Sequence, residues 1–193
     1  VRMPMHVVDE VFGRWQSYFA PVPGDYNGDG KIEYFLASST NTVGGVAMLD
    51  DDAGIVWEHA LDYKTGARGA QGIGDCDGDG LPEIAFCHVD GRVVCYDGAT
   101  GDVRWEVADI APNHSNPGGH FATGDIDGDG RDEFIYPTGS DGLVAFSETA
   151  PGYVLWRVQL PAEAETPVIA DVDGDGLAEI VVVTTDGFLN VLR

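Results

Sequence analysis

Residues Asp75 to Glu83 read DCDGDGLPE, and the pattern D-x-[DN]-G-D-G-x-x-E returns three more times along the chain. The other copies are Asp25 to Glu33 (DYNGDGKIE), Asp125 to Glu133 (DIDGDGRDE) and Asp171 to Glu179 (DVDGDGLAE). Their first residues lie 50, 50 and 46 positions apart. Four matches at a near-constant period of this size mark a chain of stacked repeats.

Each copy sits in the same local context. A small residue precedes it: Gly24, Gly74, Gly124 or Ala170. A short apolar run follows: Tyr34–Ala37, Ile84–Cys87, Phe134–Tyr136 or Ile180–Val183. Runs of this length, rich in β-branched and aromatic residues, read as strands buried on both faces. Asp90-Gly91, Asp141-Gly142 and Asp186-Gly187 then supply hairpin turns, and the first repeat has a longer loop, Asn41 to Gly45. A third strand is expected at Val46–Leu49, Val93–Tyr96, Leu143–Phe146 and Leu189–Leu192. A fourth ends in tryptophan: Ile55–Trp57, Val103–Trp105 and Val154–Trp156.

Four short strands per repeat of about 50 residues is the pattern of a β-propeller blade. No segment longer than a turn has helical periodicity. The sequence therefore predicts an all-β fold, a β-propeller of four blades of four antiparallel strands, forming one domain over residues 1–193. The tryptophans are expected in the packing between blades. The last repeat lacks its Trp-bearing strand, and Gly13-Arg14-Trp15 resembles the missing element. Residues 1–24 are therefore expected to close the last blade in part, with Val7 to Trp15 lying beside Leu189–Leu192.

Composition narrows the function. Of 193 residues 33 are acidic and 10 basic, a formal charge of −23, and the only lysines are Lys31 and Lys64. Phosphate backbones need clustered Lys and Arg, so nucleic acid is excluded as a natural partner. No apolar run approaches the ~20 residues of a membrane helix, so membrane insertion is not expected. The N-terminus, VRMPMHVVDE, carries no signal-peptide hydrophobic core. Glycine, 27 residues, stands at roughly twice ordinary usage and implies many turns. Three cysteines give no disulfide framework. Cys76 is expected as a small buried hydrophobe, and a bond between Cys87 and Cys95 depends on the strand register.

The nine-residue loops carry the chemistry. Acids at positions 1, 3, 5 and 9 point alternate side chains at one centre, and Gly at position 6 lets the backbone turn around it. All-oxygen ligands select a hard cation, and so many acidic donors favour Ca²⁺ over Mg²⁺. Side-chain donors are expected from Asp25, Asn27, Asp29 and Glu33; Asp75, Asp77, Asp79 and Glu83; Asp125, Asp127, Asp129 and Glu133; and Asp171, Asp173, Asp175 and Glu179. By analogy with other calcium loops, position 7 donates its backbone carbonyl, which accounts for the chemical variety of Lys31, Leu81, Arg131 and Leu177. The plainer reading, metal-free acidic turns, leaves the crowded carboxylates repelling one another. About four Ca²⁺, one per repeat, would bring the formal charge of −23 to about −15. Asn27 costs the first loop one charge, so it is expected to bind most weakly. The loop is not an EF-hand, whose bidentate Glu stands at position 12 between two helices.

The D-x-[DN]-G-D-G-x-x-E loop running into an apolar strand resembles the FG-GAP/VCBS repeats of integrin-α-like propellers and secreted bacterial proteins. The resemblance covers all four repeats. It implies Ca²⁺ at the loops, a propeller, an extracellular or cell-surface setting, and adhesion to a protein or glycan ligand or self-association. Two departures stand out: four blades where such propellers commonly have seven or more, and Glu at position 9 where integrin loops usually have Asp.

No catalytic site is expected. Of the histidines His6, His59, His88, His114 and His120, only His114 and His120 lie close together, in a loop read as ordinary surface. Asn113-His114-Ser115 is a glycosylation sequon. The reading is therefore a structural or adhesive module, able to build tandem arrays or fibres. The alternative is a fragment of a propeller-type rhamnogalacturonan lyase, since those enzymes carry similar loops; a charge of −23 would repel their acidic substrate.

Overall fold

The computed structural model describes residues 21–39, 43–62, 67–88, 90–110, 120–139 and 142–193. These form fifteen strands in four antiparallel sheets, one per repeat. The first sheet holds β1 (Val22–Gly24), β2 (Glu33–Ser39), β3 (Val43–Leu49) and β4 (Ile55–Asp62). The second holds β5 (Ala67–Gly74), β6 (Glu83–His88), β7 (Val93–Tyr96) and β8 (Val103–Val107). The third holds β9 (Ala122–Gly124), β10 (Glu133–Pro137), β11 (Leu143–Phe146) and β12 (Val154–Val158). The fourth has three described strands, β13 (Val168–Ala170), β14 (Glu179–Val183) and β15 (Leu189–Leu192). Within every sheet the strands follow sequence order, the up-and-down meander of a propeller blade. The helical content among the described residues is one 3-10 turn, Pro151–Tyr153, and no helix is long and apolar enough to cross a membrane.

Strand alternation decides which blade each side chain meets. Counting from the loop glutamate, positions +1 and +3 face the preceding blade, and +2 and +4 the following one. Phe35, Ala37, Val46 and Met48 of the first blade thus pack on Ile84, Phe86, Val94 and Tyr96 of the second. Ala85, Cys87, Val93 and Cys95 of the second pack on Phe134, Tyr136, Val144 and Phe146 of the third. Ile135, Leu143 and Ala145 of the third pack on Ile180 and Val182 of the fourth. β6, β7, β10 and β11 are buried along their whole length, as expected of strands with a blade on each side.

The tryptophans end cross-strand rows on the face toward the following blade. Those rows run Val22–Phe35–Met48–Trp57, Gly72–Ala85–Cys95–Trp105 and Ala122–Ile135–Ala145–Trp156. Trp57 and Trp105 are buried between blades. Trp57 stacks on Tyr96 and donates its indole N–H to the Gly98 carbonyl at 2.9 Å. Gly101, at φ +76°, passes so close that a Cβ there would stand 2.6 Å from the Trp57 ring.

The cysteines divide as the register dictates. Cys76 is buried, as a small core residue would be. Cys87 lies opposite Val93 and Cys95 opposite Ala85, so the two are out of opposition, and none of the three cysteines is in a disulfide. The expected strand from Val7 to Trp15, and with it the closing role of residues 1–24, lies outside the described residues, as do His6, Asn113 and His114.

Candidate metal centres

Each acidic loop joins the innermost strand of a blade to the second, so all four loops are held by the same two-strand frame. The sequence folds locally by hydrogen bonding its side chains to its own backbone. The position-1 carboxylate uses both oxygens: Asp75 accepts from the N–H of Gly78 at 2.7 Å and of Gly80 at 2.8 Å. Asp25, Asp125 and Asp171 do the same in their loops. The glycines at positions 4 and 6 all take positive φ, from +74° at Gly28 to +91° at Gly176, a region closed to most side chains. Position 3 accepts from the N–H of position 5: Asn27 from Asp29, Asp77 from Asp79, Asp127 from Asp129, Asp173 from Asp175. Position 5 accepts in turn from position 7, that is from Lys31, Leu81, Arg131 and Leu177.

Position 9 starts the next strand, where alternation turns its side chain inward. Glu33, Glu83, Glu133 and Glu179 are at most 2 % exposed. Each accepts the N–H of position 2, from Tyr26, Cys76, Ile126 and Val172, at 2.9 to 3.0 Å. Burial pushes the Glu83 and Glu133 carboxyls up to about 7, against the pull of those N–H groups, with the neighbouring Asp77 and Asp127 adding to the rise. Glu133 Oε1 is buried without a hydrogen-bond partner.

Three triads result, each with carboxylate oxygens within 4.8 Å of one another: Asp75, Asp77 and Glu83; Asp125, Asp127 and Glu133; Asp171, Asp173 and Glu179. They are able to hold a metal ion. Buried charge, a donor set made only of carboxylate oxygen, and an unpartnered oxygen at Glu133 all fit a hard cation. The structure thus gathers positions 1, 3 and 9, while the position-5 aspartates stand outside these triads with one oxygen on their own loop. The first loop has the same frame but carries Asn27 in place of the third acid.

One residue was not singled out by its spacing. Arg104, on β8, places Nη2 2.7 Å from Asp77 and 2.6 Å from Glu148, with Nε 3.0 Å from the other Glu148 oxygen. Glu148 follows β11, so this guanidinium ties the second loop to the third blade. Burial would raise the Glu148 carboxyl, but the Arg104 and Cys76 hydrogen bonds hold it below the usual range. Arg193 reaches Asp173 and Glu179 of the fourth loop in a related way. The two blades meet again where Asp132 accepts the Asp75 N–H at 3.0 Å and returns its own N–H to the Asp75 carbonyl at 2.8 Å. His120 is exposed, and His88 is buried against Tyr96.

Comparison with known proteins agrees with this geometry. Residues 75–136 match the sequence profile of the FG-GAP-like repeat. No curated protein matches the sequence. Among solved structures, the chain is similar to BamB from Moraxella catarrhalis, at TM-score 0.56 and 12% identity, over 89% of this chain and 41% of that one. It is similar to the biofilm matrix protein Bap1 of V. cholerae, at 0.50 and 21%, over 92% and 38%. BBS1N in complex with ARL6DN aligns at 0.60 and 12%, over 89% and 46%. At these identities the likeness is one of fold, and the chain spans less than half the length of each.

Proposed function

We propose that this chain, a β-propeller whose residues 75–136 match the FG-GAP-like repeat, is a calcium-binding structural and adhesive module working outside the cell. The observation that carries the reading is the buried glutamate at position 9, held within reach of two further carboxylates in three successive loops. A buried carboxylate cluster is unfavourable by itself and favourable around a divalent cation. Asp75, Asp77 and Glu83 would hold one Ca²⁺, with the matching residues of the third and fourth loops holding two more. Asp25, Asn27 and Glu33 would form a weaker fourth site. The ion supplies charge neutralisation and locks each loop to the strand that follows it. It is given no part in a reaction.

The remaining surface supports a binding role. A strongly acidic chain with four blades joined through apolar layers is a rigid frame whose loops are free to vary, the usual placing of binding residues. The partner would be a protein or a glycan. Extracellular modules use sites of 10⁻⁴–10⁻³ M affinity because calcium there is abundant. Calcium titration by calorimetry, followed by melting in EGTA, tests the proposal. Three or more bound ions and a lower melting temperature on chelation are expected; no heat and an unchanged melt would overturn it. Incubation with pectic polysaccharide is expected to release no unsaturated product, and a rising ultraviolet absorbance would favour a lyase instead.

A further inference from the structure

Every blade but the last buries the face that looks toward its successor. In the fourth blade that face is made by the row Val168–Val181–Val191 and the pair Val183–Leu189. It has the composition of the three buried faces, and among the described residues nothing covers it: Val168 is 59 % exposed, Val183 46 %, Leu189 64 % and Val191 49 %, with Phe188 beside them at 67 %. Of the eleven large apolar side chains that the described residues expose, seven belong to this repeat. A sheet meant for water alternates apolar with polar side chains, whereas here both faces of β14 are apolar. Contiguous apolar area on this scale marks an association surface.

We propose that this face is the interface of a dimer, formed when the fourth blades of two copies pack face to face about a two-fold axis. Continuity with the three inter-blade layers says what fits it: another sheet of the same repeat, seated at the ~10 Å spacing of stacked sheets. A head-to-tail arrangement would need the opposite end of a second copy, the face of the first blade that looks away from the second. That face is already covered, since Leu36, Ala47 and Leu49 are at most 8 % exposed. The fourth blade of the second copy is the apolar face left, and a face meeting its own copy closes at two subunits. The centre of the patch carries no charge, so the repulsion of two chains at −23 falls on the rim, where salt screens it. The inference stands apart from the calcium reading, because it rests on a face and not on the loops.

Sedimentation equilibrium of the 193-residue chain, with calcium and with EGTA, tests it. The expected mass is twice 20.5 kDa. Leu189→Lys and Val191→Lys are each expected to raise the dissociation constant at least tenfold or so, and added salt to lower it. Both side chains are exposed, so unchanged melting of a dilute monomer would show that the variants still fold. A wild-type monomer across the whole concentration range overturns the proposal, as does a dimer indifferent to both substitutions. A monomer that Leu189→Lys or Val191→Lys destabilises means another segment of the chain lies on the face, and masses beyond the dimer mean a head-to-tail assembly. Either result overturns the two-fold arrangement.

Discussion

Glu133 shows how much of a site is decided by one buried oxygen. Its Oε2 is held by the Ile126 N–H, and its Oε1 has no partner, so the charged form is strained unless a cation is near. Glu133→Gln keeps the acceptor for Ile126 and removes the charge. It is expected to weaken the third calcium site at least about tenfold while leaving metal-free stability unchanged or about 1 kcal/mol higher, because an unsatisfied buried charge disappears. Calorimetric titration and denaturant unfolding in EGTA would read the two effects separately. Asn27→Asp is expected to bring the first site up toward the others. If Asp75→Ala removed a weaker site than Asp25→Ala, that ordering would be wrong. Arg104→Gln frees Asp77 for metal but leaves Glu148 with the Cys76 thiol and no cationic partner at this contact. Tighter calcium at the second loop is therefore expected together with a loss of about 1–3 kcal/mol in folding stability.

Among the elements, β15 is the odd one. The other sheets follow their third strand with a Trp-bearing fourth, and β15 has no described neighbour beyond it. Where that strand would lie, a cavity of about 360 Å³ opens between Leu155, Trp156 and Val158 on one side and Ile180 and Leu192 on the other. Trp156 is only half-buried there, unlike Trp57 and Trp105. A free edge beside an apolar gap invites a strand. Residues 7–15 carry the matching Gly13-Arg14-Trp15 element, and deleting residues 1–15 is expected to lower the melting temperature or make the protein aggregate. A truncated chain with full stability would show that the N-terminus plays no part in the blade.

Across the whole molecule, the apolar layers and the loops stabilise different things. The layers join blade to blade, and the loops tie the innermost strand to the second within each blade. Chelation is therefore expected to loosen all four blades at once. A site filled at a hundred times its dissociation constant adds about 2.7 kcal/mol. Three or four such sites rival the ~5–15 kcal/mol that holds a domain folded. Thermal unfolding in excess EGTA against excess calcium is expected to move by more than any single loop substitution moves it.

The nine-residue loops and their near-constant spacing of about 50 residues, the strand order and the sharp loop turns were all legible in the sequence, because they depend on local chemistry. Glycines at positions 4 and 6 permit positive φ, alternating acids hydrogen bond to N–H groups two residues on, and apolar runs of strand length follow. The burial of Cys76 was legible from its place in the repeat for the same reason. What only the tertiary structure decided is where separate repeats meet. Arg104 finds Glu148 across 44 residues of chain, and Asp132 finds Asp75 across 57. No spacing within one repeat announces either contact. The register of β6 and β7, which sets Cys87 and Cys95 out of opposition, follows from the turn between them and from which side chains each face buries. The bare face of the fourth blade belongs to the same class. Its residues look like every other inner strand in sequence, and only the packing reveals that nothing described lies against them.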